Sequence, residues 1–129
     1  MNLHSLNALF VAHVLAAPFL ASARAPLATD PLNLQLDAVE IALSASAQAA
    51  VNGDNRPARV AVALLRGLAE ALRPLQAVRT ALLEDGLAYC AHALSSTDPR
   101  LQEVYVVQAV RVAMELDEVF ARPSIEGTH

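Results

Sequence analysis

One cysteine, four histidines and nine arginines are the side chains in this sequence best equipped for chemistry, and their spacing sorts them. Cys90 and His92 stand two positions apart, so a helix turns them to different faces. A thiolate–imidazole pair would need His4 or His13 to arrive from elsewhere in the fold. An unpaired cysteine more commonly serves as a small buried hydrophobe, which is the expectation for Cys90. His92 is expected to be exposed or hydrogen-bonded. Zinc sites use spacings such as His-x3-His and Cys-x2-Cys. His4, His13, His92 and His129 offer neither, so no metal is expected. The glycines form no Gly-x-Gly-x-x-Gly or Walker loop to cradle phosphates, so no cofactor is expected. Glu84-Asp85 and Asp117-Glu118 are adjacent, and adjacent carboxylates splay apart on a helix instead of sharing a proton. These patterns read as a protein that is not an enzyme.

Two patterns suit binding instead. Arg56, Arg59, Arg66 and Arg73 fall close to one face of a helix, interrupted by Glu70, which pairs locally with Arg66. Arg79 follows just after Pro74. Guanidinium groups hold carboxylates and phosphates in a bidentate way, so this stripe is a candidate partner-binding face for an acidic protein or a nucleic acid. The plain alternative is a solvated face balanced by Glu115, Asp117 and Glu118 of the last helix. The second pattern is that last helix itself. Tyr105, Val106, Val110, Met114 and Phe120 belong to an apolar arc wider than the ~100° that one core requires. The helix is therefore either central in the core or shared with a second copy across a two-fold interface.

The elements that carry these residues announce themselves by their starts. Asp30-Pro31 and Asp98-Pro99 each set an N-cap residue before a proline at the first helical position, and Thr29 and Thr97 precede them. Asn55 and Arg56 stand before Pro57 in a third start. The segments so divided predict helices over about 3–22, 31–51, from 57 onward, after Pro74, and over 99–121. In the second, Leu34, Val39, Ile41, Ala42 and Ala45 form the apolar stripe, and a later half of Ala and Ser allows close approach. Gly53 can take the left-handed conformation that closes it. In the third, Val60, Leu64, Leu65, Leu68 and Leu72 repeat at helical spacing. Pro74 predicts a break or a kink, because a proline inside a helix costs about 3 kcal/mol or more. The fourth carries Leu75, Val78, Leu82, Leu83, Leu87, Cys90 and Leu94, with Gly86 weakening it by about 1 kcal/mol relative to alanine. In the fifth, Arg111 with Glu115 and Glu118 with Arg122 are opposite charges at i,i+4. Its valines make a strand at 104–107 the minor alternative.

The expected fold is thus all-α: a single domain over 1–129, a compact up-and-down bundle of four to five helices with a kink at Pro74, ending in a loose tail at 124–129. At 129 residues and 55% hydrophobic, the chain can bury a core without disulfides. Lysine is absent and the net charge is −4, which weighs against a generic nucleic-acid binder. Residues 8–21 are apolar except for His13, and Ala23-Arg24-Ala25 follows in the manner of a signal-peptidase site. No basic residue precedes that run, Pro26 would follow the cut, and the run is shorter than the ~18–20 residues a bilayer needs. A buried first helix ending near Pro18 or Arg24 is the expectation, with a cytoplasmic protein and no membrane. An exported protein cleaved near residue 25 is the alternative.

The leading functional reading is a non-catalytic protein-binding module: a small adaptor, regulator or inhibitor, bacterial or phage-encoded, that blocks or bridges another protein. A homodimer through the last helix fits the same reading. A nucleic-acid-binding regulator using the arginine stripe is the alternative from another class.

Overall fold

A computed structural model of the chain describes residues 3–22 and 30–122. Ala23-Arg24-Ala25, Thr29, His129 and the tail expected at 124–129 lie outside the described residues. Within them the chain forms five helices: α1 (Leu3–Ser22), α2 (Pro31–Val51), α3 (Arg56–Leu72), α4 (Ala77–Ser95) and α5 (Pro99–Ala121). The fold is an all-α bundle.

The starts follow from local hydrogen bonding. The Asp30 carboxylate accepts from the Leu32 N–H at 2.8 Å and Asp98 accepts from Arg100 at 3.0 Å, each with proline next in line. The third start differs. Asn55 makes no cap bond with its side chain but donates Nδ2–H to the Leu94 carbonyl at 2.8 Å, tying the start of α3 to the end of α4. Asp54 accepts from the Arg56 N–H in its place. At the end of α2, Gly53 takes φ +85°. Its N–H donates to Ala50 and the Asp54 N–H donates to Ala49, both at 3.0 Å, so two carbonyls left over by the helix are satisfied.

The interruption at Pro74 is a complete break. The Leu75 and Gln76 N–H groups both turn back to the Leu72 carbonyl at 3.0 Å, and α4 begins at Ala77. Pro18, by contrast, does not end α1, which runs through it to Ser22. Packing beyond the proline holds the last turn: Phe19 is fully buried and meets the Phe120 ring edge-on, 5.1 Å between centroids.

Consecutive helices pack side by side from α2 to α5, joined by short turns, while α1 lies mainly against α4 and α5. Phe10 and Val110 share a groove and Phe19 meets Phe120, so α1 and α5 run the same way. Helix α4 packs most extensively, against α1, α3 and α5, while α1 reaches all four of the other helices. Its inward residues are Thr80, Leu83, Gly86, Leu87, Cys90, Ala93 and Leu94. At Gly86 side chains of both α1 and α5 press on α4: a Cβ there would stand 2.6 Å from Leu15 Cδ1 and 3.3 Å from Val112 Cγ1. The glycine does not merely weaken α4; it makes room for two neighbours.

Several apolar stripes face elsewhere than their large residues suggested. The buried line of α2 is Asn33, Leu36, Val39, Leu43, Ser46 and Ala50, leaving Leu34 and Ile41 exposed. In α3, Ala58, Ala61, Val62 and Ala69 join Leu65, Leu68 and Leu72 inside, while Val60 and Leu64 turn outward. Leu75 and Val78 are likewise exposed. Small residues define the contact faces because they let helix axes approach, and bulky residues on the flank then fall outside. Helix α5 is not central. Only Gln102, Ala109 and Leu116 are fully buried in it, and it touches only α1 and α4. Residues 104–107 are helical, so the strand alternative does not hold.

Candidate interaction surface

Cys90 is fully buried, and burial pushes its thiol up to about 12, leaving it protonated and unreactive at neutral pH. His92 is exposed and stacks on Tyr105, with centroids 5.1 Å apart. Among the described residues, no three His, Cys, Asp or Glu side chains gather as a metal site requires.

The arginine stripe is present, and its members differ. Arg56, Arg59, Arg66 and Arg73 are all exposed on α3 and at its end. Arg56 grips Asp54 with Nε and Nη2, each at 3.1 Å. The hydrogen bond holds the Asp54 carboxyl below its ordinary range and raises Arg56. Arg73 pairs with Glu84 of α4. Arg59 and Arg66 make no ion pair among the described residues, so the expected Arg66–Glu70 pair is not formed. Nor does α5 balance the stripe, since α3 and α5 do not touch. Arg79 leaves the stripe altogether and lies over the Phe120 ring, 4.2 Å from its centroid. Two of the four guanidinium groups thus already hold a carboxylate.

The pairs expected along α5, Arg111–Glu115 and Glu118–Arg122, are also not formed among the described residues. Exposed side chains gain little from such contacts and stay solvated.

The more coherent feature is apolar. A groove of about 280 Å³ runs between α1 and α5, walled by Phe10, Val14, Pro18, Val110 and Met114, with Asp117 its one charged lining residue. Phe10 is 67% exposed and Met114 66%. Helix α1 carries no Asp, Glu, Lys or Arg, so its outer face is as uncharged as its inner one. It is the one helix among the described residues long and apolar enough to cross a membrane, by length and composition. Beyond Phe10 the apolar surface continues to a second groove, where Leu6, Leu9 and His13 face Ala47 and Val51 of α2.

Of the residues assigned to self-association or core, Tyr105, Val106 and Phe120 are half-buried against the bundle, whereas Val110 and Met114 stay at the surface. Phe10 and Val14, which complete that surface, were missed. Their signal was available: an amphipathic helix shows charges on its outer face, and α1 shows none. Comparison with known proteins finds no matching family model, no similar curated protein and no matching solved structure.

Proposed function

We propose that this protein is a non-catalytic binding module that docks another protein chain through the apolar surface shared by α1 and α5. The observation that carries the reading is that surface: protruding Phe10, Val14, Val110 and Met114 around a groove with a single charge at its rim. Large exposed apolar patches on soluble proteins usually mark interaction sites. An adaptor or inhibitor needs no more chemistry than this. In the same reading the protein works in the cytoplasm with α1 retained. Its support is the way Leu15 of α1 fills the space over Gly86, which cleavage near residue 25 would leave open.

The test is affinity capture of tagged full-length protein from host lysate, with and without nuclease, beside two variants. A protein partner that survives nuclease and is lost with Met114→Glu is the expected result. Loss with Arg59→Glu/Arg66→Glu instead would move docking to the arginine stripe. Loss on nuclease treatment would make the protein a nucleic-acid binder.

A further inference from the structure

We infer that the partner on the α1/α5 surface is a second copy of this chain, related by a two-fold axis. The inference rests on reading that surface as a protein-docking site. Three observations favour a self-pairing.

The first is area. Leu3, Phe10, Val14, Val107, Val110 and Met114 are between 39% and 67% exposed. They present on the order of 600 Å² per copy, and covering all of it in a two-fold pair would bury the roughly 1,200 Å² at which stable interfaces begin.

The second is charge. The chain carries −4, so two copies repel at long range, and a pair can form only through a surface that adds little like charge at close range. This surface has little charge: α1 contributes none, and Asp117 is the one charged residue lining the groove. A partner chosen by charge would find a single carboxylate here to recognise.

The third is shape. A two-fold interface must be complementary to itself. Phe10 and Met114 are both protruding side chains and groove walls, so each copy offers a ridge and a groove on one patch. The chain's own residues 123–129 could not substitute, since Ile125 is their one large aliphatic or aromatic side chain.

Sedimentation or light scattering of the full-length protein over a range of concentrations tests this. Twice the 13.6 kDa chain mass is expected. Phe10→Glu and Met114→Glu lie at exposed positions and should keep full helicity. Each should raise the dimer dissociation constant at least about tenfold, because pairing would desolvate an unpaired carboxylate. Ile41→Glu, on the exposed flank of α2, should leave the dimer intact. A monomer at every concentration would overturn the inference, as would a dimer indifferent to both variants. A monomer whose lysate partner is still lost with Met114→Glu would keep the docking surface and remove the second copy. A monomer that instead floats with lipid vesicles would give the surface to a bilayer. If neither mass nor capture responds to the variants, both readings fall.

Discussion

Single residues here are constrained by what they touch more than by their own chemistry. Gly86 is the sharpest case. Alanine would favour the helix by about 1 kcal/mol, yet its Cβ would press on Leu15, a side chain with almost no freedom to move. Overpacking costs about 1–3 kcal/mol, so Gly86→Ala should lower stability on balance. Chemical denaturation of Gly86→Ala, Leu15→Ala and the pair should show the double variant more stable than the sum of the singles implies. A strictly additive pair would remove the close contact from the account.

Cys90 links stability to pH. Its folded thiol titrates near 12 against an ordinary value of 9.0. The folded state therefore holds the proton through a range where the unfolded chain releases it. This contribution is constant below pH 9 and declines as pH rises toward 12, by about 1.4 kcal/mol per pH unit at the steepest. Urea midpoints at pH 8 and pH 10.5 should fall further apart in the native protein than in Cys90→Ala. Thiol reagents should label Cys90 only as fast as the bundle opens.

At the scale of elements, the bundle is fastened where helices end. Gln102 is buried in α5 and donates its amide to the Ala93 and Ser96 carbonyls at 3.1 and 2.9 Å, closing the end of α4. Placing α4 beside α5 gives this polar residue its partners. Gln102→Ala should cost about 1–3 kcal/mol in thermal or chemical unfolding, since it strands acceptors at a buried helix end. Asp98→Ala should cost about 1 kcal/mol through lost capping. Both helix starts with an Asp-Pro pair were legible from the sequence, because capping is a contact between near neighbours. The role of Asn55 was not, because its partner Leu94 lies 39 residues away.

For the molecule as a whole, α1 both covers the core and presents an exposed apolar face. Its inner face supplies Ala8, Leu9, Ala12, Leu15, Ala16 and Phe19 to the core, and its outer face carries the apolar surface. Deleting residues 1–25 should expose Gly86 and Leu87 and yield an aggregating or molten protein, with loss of sharp thermal unfolding as the measurement. A truncated chain that unfolds as cooperatively as the full one would favour the exported form.

The helical class, the Asp-Pro starts, an interruption at Pro74 and the burial of Cys90 were written in the sequence itself, whereas four or five helices, and a kink or a full break at Pro74, stayed open there. Each of the former depends on residues close along the chain, or on how strongly one side chain avoids water. The tertiary structure alone decided which helix packs most extensively and which apolar residues stay outside. A sequence shows how wide an apolar arc is but not how many neighbours will cover it. Helix α5 has the wider arc and fewer neighbours, whereas α4, with Gly86, Cys90 and Ala93 facing inward, admits three helices. The same physics selected the surface: with α4 packed against α1, α3 and α5, Phe10, Val14, Val110 and Met114 are left exposed among the described residues.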